Sequence, residues 1–311
     1  MRHLLPLHYI DTVARSGSIR RAASKLAITS TALNRRILAM EEELGVPIFE
    51  RLPRGVRLST AGELIIQHIR SQMADMERVK SQIADLSGAR RGHVSVVCGQ
   101  ALLPHFMPEQ IALYRKEHPA VTFSVRVCDR AGAIDELTSF DADLAVVFEP
   151  SRTAEFHPVG RVEQPIQAIM GASHPLAKKE LIGWSDLLSS QVVLPTAANG
   201  MRYMLEDAML RKGDELVKVI ESDSFDFIRN YLVHENCISF QLPIGLKRDS
   251  SDAEIVSRDI DPRVVPSGNL YVGQLKGRVL PVAAALFANA VVKALEFQFE
   301  SSEESLASEP A

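Results

Sequence analysis

Apolar residues in the first sixty positions recur at helical spacing, in three short runs bounded by residues that start or stop helices. Pro6 suits a first helical turn, where its missing N–H is not needed, and Leu7, Ile10, Val13 and Ala14 repeat behind it. Gly17 supplies a left-handed C-terminal cap, and Ser18 an N-cap for a second helix with Ala22, Ala23 and Leu26 on its apolar face. The small side chains of Ala22 and Ala23 allow a neighbouring helix to come close. After a short turn at Ala27-Ile28, Thr29 can cap a third helix. Its Leu33, Ile37, Met40 and Leu44 form one buried stripe, ended by Gly45 and Pro47. Two short apolar runs, Ile48-Phe49-Glu50-Arg51 and Val56-Arg57-Leu58, then flank Leu52-Pro53-Arg54-Gly55, the pattern of a two-stranded hairpin.

Beyond it the period lengthens. Thr60-Ala61-Gly62-Glu63 reads as a capping box with Thr60 as N-cap. No proline follows until Pro104, and Ile65, Ile69, Met76, Val79, Ile83 and Leu86 lie close to a 4-3 repeat, with Gln72 in the one polar position. A helix of roughly 25 residues with one narrow stripe cannot bury that stripe on itself. Either a partner helix or the body of the same chain covers it. After Ser87-Gly88-Ala89-Arg90-Arg91-Gly92, a hinge by composition, strands alternate with helices. Strands are expected at Val94–Cys98, Val121–Cys128 and Leu144–Phe148. Helices are expected at Leu102–His118, broken early by Pro104 and Pro108, and at Gly132–Phe140. That alternation predicts a parallel sheet with helices on both faces, with ligands at the carboxyl ends of its strands.

Charge divides the same way. Residues 1–60 hold ten Lys and Arg against five Asp and Glu, so the head is +5 and the remainder −9 within a 311-residue chain of net charge −4. A basic head on an acidic body suggests that only the head meets a polyanion. Away from the buried stripe, the first turns of the third helix present Ser30, Thr31, Asn34 and Arg35. These are short hydrogen-bonding groups with a guanidinium, the chemistry that reads base edges in a major groove. Ser18 to Ile37 has the proportions of a helix-turn-helix, and the hairpin that of a wing with Arg51, Arg54 and Arg57 placed for phosphates or the minor groove. A dimer would give two such heads for two half-sites.

Several classes are set aside. There is no run of ~20 apolar residues for a membrane span, and Met1 to Pro6 lacks the pattern of a secretory signal. Cys98, Cys128 and Cys237 fit neither a disulfide framework nor a CxxC zinc site, and no cofactor or metal is expected. Cys98 and Cys128 end neighbouring strands, which raises a redox pair, but buried packing is the favoured reading. No HExxH, GxSxG or GxxxxGKS/T motif occurs, and His118-Pro119 and His174-Pro175 sit at turns, so no enzyme is expected. The expectation is a cytoplasmic protein. Its rival is a cytosolic solute-binding or scaffold protein that does not bind DNA and whose basic head docks an acidic partner.

The stretch Ser18–Gly62, SIRRAASKLAITSTALNRRILAMEEELGVPIFERLPRGVRLSTAG, resembles the DNA-binding domain of LysR-type transcriptional regulators. The resemblance rests on AA-x-x-L in the second helix, Met40-Glu41-Glu42-Glu43-Leu44-Gly45 ending the third, Pro47-Ile48-Phe49-Glu50-Arg51, and Arg57-Leu58 with Ala61-Gly62. It departs at Ser30-Thr31, where many members have Gln-Pro, and at Asn34, where many have Ser. Weaker similarity continues through Glu117-His118-Pro119, Asp143-Leu144-Ala145-Val146 and His174-Pro175-Leu176-Ala177.

The resemblance implies an α/β chain in four parts. These are a winged helix-turn-helix (1–59), a linker dimerisation helix (60–88), a two-lobed effector-binding domain resembling periplasmic binding proteins (92–297), and a disordered tail (298–311). Lobe one would be 92–163 with 270–297 and lobe two 164–269, with connecting strands near Glu163-Gln164-Pro165 and Val264-Val265-Pro266. Double-stranded DNA, a small-molecule effector and a second or fourth copy of the chain are the implied partners. Ser30, Thr31 and Asn34 would read bases, and Arg35, Arg36, Arg51, Arg54 and Arg57 would hold phosphates. The cleft lining would include Gly99, Gln100 and Ala101, where free N–H groups at a helix start favour an anion. Phe148, Glu149, Thr196 and Arg202 would join them, with Phe225 and Phe240 closing the pocket. Gln100 replaces a common Ser or Thr, and Glu235-Asn236-Cys237 a common Gly-x-Gly.

Overall fold

The computed structural model describes residues 4–86, 91–246 and 254–299. The chain falls into two compact units, residues 1–83 and 84–311. Most of the hinge read at 87–92 lies outside the described residues, as does the tail read at 298–311 except Gln298 and Phe299, which are helical rather than disordered.

The first unit begins with α1 (Leu5–Ser16), α2 (Ile19–Lys25) and α3 (Ser30–Leu44). Their ends follow from side chains beside the backbone. Ser18 Oγ accepts the Arg21 N–H and Thr29 Oγ1 the Ala32 N–H, while Gly17 and Gly45 take left-handed φ of +58° and +71°. Ala27, between α2 and α3, is also left-handed at φ +53°. Ile10, Val13, Ala22, Ala23, Leu33 and Ile37 are buried together. Leu44, expected in the stripe, is 46% exposed, because the last turn of α3 runs past the edge of this small core.

The hairpin is β1 (Phe49–Leu52) and β2 (Gly55–Leu58), antiparallel, with Leu52 facing Gly55 across the Pro53-Arg54 turn. The Val56 N–H donates to the Gly17 carbonyl, and a Cβ on Gly55 would lie 2.3 Å from that oxygen. Only glycine fits this approach at φ +132°.

The long helix α4 (Thr60–Leu86) starts one residue earlier than its capping box suggests. Ser59 caps it: its Oγ accepts the Gly62 N–H and donates to the Pro47 carbonyl. Its first half does not stand apart as a linker, since Ile66 and Ile69 are buried in the head core. Asp11, buried on α1, bridges Arg15 at 2.6 Å and Arg70 of α4 at 2.8 Å. Further along, Val79 is 37% and Ile83 59% exposed. Leu86's side chain lies outside the described residues.

The second unit carries two sheets. The first runs β4-β3-β5-β13-β6, with β3 (Gly92–Cys98), β4 (Val121–Val127), β5 (Leu144–Phe148), β6 (Phe156–Gln164) and β13 (Gly268–Leu275). The second runs β10-β9-β11-β7-β12-β8, with β7 (Gln167–Gly171), β8 (Leu181–Ile182), β9 (Gln191–Pro195), β10 (Val217–Ser222), β11 (Ile238–Gln241) and β12 (Ile255–Ile260). The helices are α5 (Phe106–Glu117), α6 (Gly132–Thr138), α7 (Trp184–Leu188), α8 (Gly200–Lys212), α9 (Phe225–His234) and α10 (Val282–Phe299).

Neither sheet is wholly parallel, contrary to the expectation from strand–helix alternation. β3, β4 and β5 pair in parallel, but β13 runs antiparallel to β5 and β6, and β7 antiparallel to β11 and β12. The chain crosses between sheets twice, along β6 into β7 and from β12 into β13, and the strands at those crossings enter from the opposite end. Gln164, fully buried at the crossing, accepts the Ile244 N–H. Pro104 delays α5, whereas Pro108 sits within its first turn, where proline is tolerated. The helix α10 is long and apolar enough by composition to cross a membrane. Its Phe287, Val291 and Leu295 are buried in the lobe core, where Phe287 meets Tyr114 and Phe123 edge to face.

Candidate nucleic-acid interface and effector cleft

On the first unit, burial of Leu33 and Ile37 turns the opposite face of α3 outward. Ser30, Thr31, Arg35 and Arg36 are exposed, and so are Arg51, Arg54 and Arg57 on the wing. Three of the named arginines are engaged within the unit. Arg51 Nη2 donates to Asn34 Oδ1 at 2.6 Å, joining wing to helix. Arg57 pairs with Glu50 directly across the hairpin at 2.6 Å. Arg36 lies over the Tyr9 ring, 4.7 Å from its centroid, so its guanidinium leans toward α1.

A residue that the sequence pattern does not single out also shapes this surface. Glu41 Oε1 accepts the Ile48 and Phe49 N–H groups at 2.8 and 3.0 Å, which fixes where the wing leaves α3. Only its place in the Glu41-Glu42-Glu43 run hints at it.

In the second unit a cavity of about 690 Å³ opens between the sheets at the carboxyl ends of β3, β4 and β9. Gln100 and Thr196, both expected, line it together with Phe225. Phe225 is the first residue of α9. Gly99, Ala101 and Phe148 border a smaller adjoining pocket. Gly200 explains how lobe two closes there: a Cβ on it would stand 2.4 Å from the Phe148 carbonyl oxygen.

Three expected residues fall elsewhere. Phe240 is 1% exposed on β11, an interior strand of its sheet, and belongs to the core. Glu149, at φ +45°, turns back so that its Oε1 accepts the Asn269 N–H. Arg202 is drawn to Glu206 at 2.6 Å and Glu221 at 3.8 Å.

The residues missed are acidic. Asp129, Asp135 and Glu136 from lobe one and Asp223 from lobe two line the cavity. The rule that ligands meet strand ends could have flagged Asp129, just past β4. Nothing in sequence spacing says that α6 turns Asp135 and Glu136 the same way.

Gln100 reaches across the cleft. Its Oε1 accepts the Phe225 N–H at 3.0 Å, and its Nε2 donates to the Asp223 carbonyl. Cys98 ends β3 and Cys128 follows the last residue of the neighbouring β4, and the Cys128 N–H donates to the Cys98 carbonyl. Burial pushes both thiols up to about 12, so both stay protonated at neutral pH. Burial also lowers the pKa of His174, whose Nδ1 accepts the Leu176 N–H at the turn before Pro175.

A winged helix-turn-helix in one unit and a two-lobed α/β cleft in the other define a DNA-binding regulator with an effector-binding domain. Residues 4–63 match the bacterial regulatory helix-turn-helix protein, lysR family, and residues 87–296 match the LysR substrate binding domain. The chain belongs to the LysR family of transcriptional regulators. The transcriptional dual regulator GltC of Bacillus subtilis is 28% identical over 257 residues, covering 82% of this chain and 83% of GltC. A full-length OxyR cysteine variant from Pseudomonas aeruginosa superposes with TM-score 0.70 at 23% identity, covering 93% of this chain and 94% of that one. Full-length CbnR complexed with its target DNA superposes with TM-score 0.62 at 16% identity, covering 94% and 99%. At such identities the two structures speak for the fold.

Proposed function

We propose that the exposed start of α3 enters the major groove, with Ser30, Thr31 and Asn34 at base edges. Arg35, Arg51 and Arg54 then hold phosphates. The observation that carries this reading is the Arg51–Asn34 hydrogen bond, which makes helix and wing one surface. Arg36 and Arg57 contribute charge from side chains already leaning on Tyr9 and Glu50. The second unit senses a cytosolic small molecule in the cleft bridged by Gln100, and the protein regulates transcription rather than catalysing a reaction. Two or four copies assemble, with Val79 and Ile83 on α4 meeting a partner helix, so that each assembly presents paired heads to two half-sites.

The membership in a DNA-binding family disfavours docking on an acidic protein. A gel shift with the gene's own upstream region, run against an acidic polypeptide competitor, tests the interface. Retention of the shift supports DNA recognition, and its loss to the competitor supports the rival. In the same assay Ser30→Ala with Thr31→Ala should abolish preference for the upstream region over scrambled duplex.

A further inference from the structure

Resting on the reading of the cleft as the effector site, we propose that the effector is a small organic cation carrying ammonium or guanidinium groups. The first ground is the wall of the cavity. Asp129, Asp135, Glu136 and Asp223 line it, and no Lys or Arg is among its described lining residues. Glu136 is paired with Arg126, but the carboxylates of Asp135 and Asp223 have no ion pair among the described residues. Arg130 lines the adjoining pocket, and there its Nε donates to the Glu149 carbonyl and its guanidinium stacks on Tyr203, 3.9 Å from the ring centroid.

The second ground is the supply of donors. An anion in a cleft of this kind is ordinarily held by free N–H groups at helix starts. Here the chain's own side chains occupy three of them, although the short turn that starts at Gln100 has no side-chain cap. Gln100 Oε1 takes the Phe225 N–H at 3.0 Å, Asp129 Oδ1 the Gly132 N–H at 2.6 Å, and Asn199 Oδ1 the Met201 N–H at 2.9 Å. The carboxylate residues share the wall with the Thr196 hydroxyl, the Asn199 side chain and Phe225. An anion would meet like charge from four carboxylate residues and no lysine or arginine among the described lining residues. A cationic nitrogen would meet carboxylates and an aromatic face.

Size separates an organic cation from a metal ion. About 690 Å³ lies within the range of small-molecule pockets. Among the described residues no group of three or more His, Cys, Asp or Glu side chains converges as a metal site.

The test is thermal melting and calorimetry of the full chain at constant ionic strength. Spermidine, agmatine and L-arginine form one panel, and citrate and benzoate the other. At least one cation should raise the melting temperature by mass action. Asp135→Asn and Asp223→Asn should each weaken its binding about tenfold, while Glu180→Gln, outside the cavity, leaves it unchanged. Stabilisation by an anion that binds more tightly to Asp135→Asn overturns the charge assignment and keeps the cleft as effector site. Silence to both panels, with operator binding unaltered in the two cavity variants, overturns the charge assignment and the effector reading together.

Discussion

The head and the cleft of this protein are its two candidate functional surfaces, and they are built in opposite ways. The head turns cations outward from a core whose helices are capped locally, by Ser18, Thr29, Gly17 and Gly45. The cleft is assembled from segments far apart in the chain, and Asp129, Asp135 and Asp223 are among the residues that line it. A surface made by one helix and one hairpin is written in a short run of sequence. A surface made where strand ends from two sheets converge is not.

The contrast can be broken at several points. The largest expected effect is on the head. Asp11→Ala leaves Arg70 beside a vacated buried partner and should cost about 3 kcal/mol of stability, read by urea unfolding. Loss below about 0.5 kcal/mol would mean that the two arginines find water instead. Next comes Asn34→Ala, expected to weaken cognate binding by about 1–3 kcal/mol. Because Asn34 also holds Arg51, a smaller loss on scrambled duplex should accompany it. Equal losses on both duplexes would assign Asn34 to positioning alone. Arg54→Ala, at the exposed wing tip, should weaken all duplexes alike and reduce the salt dependence by about one counterion. An unchanged slope removes the wing from the phosphate contacts.

The smallest effect belongs to the body's thiols. With Cys98 and Cys128 raised to about 12, each is protonated in the folded protein and ionises earlier once unfolded. Their contribution is complete below the ordinary thiol value of about 9, and is lost as pH climbs toward about 12. Stability should therefore decline across that window, and less steeply in Cys98→Ala, as unfolding midpoints at stepped pH would reveal. Peroxide at neutral pH should leave both thiols free, and a Cys98–Cys128 disulfide detected by mass spectrometry would contradict this.

Legibility follows from how far apart the interacting residues are. Helix starts, the glycine stops and the wing strands are readable because each rests on neighbours a few positions away. Leu44 reads as part of the buried stripe because periodicity shows which face of a helix is apolar, not where the core beneath it ends. Ser59 and Thr60, two adjacent hydroxyl residues, suit an N-cap equally in sequence, and only the Pro47 carbonyl decides for Ser59. In the body, strand–helix alternation tells where a pocket opens but not which side chains reach it. Phe240 reads as a pocket aromatic near a strand end, yet its ring is packed into the apolar core of the body. The antiparallel β13 and β7 follow from the chain leaving one sheet for the other and returning, a long-range event without a local signature.

On the proposed reading of the cleft as effector site, the Gln100 bridge would set the dose at which the protein responds. Its amide already joins the two lobes through the Phe225 N–H and the Asp223 carbonyl, so a compound that parts the lobes must displace a tethered group at fixed, high local concentration. The protein should consequently ignore trace amounts and respond only above a dose that its own side chain determines. Exchanging that glutamine for asparagine, one methylene shorter, would move the dose without redrawing the walls.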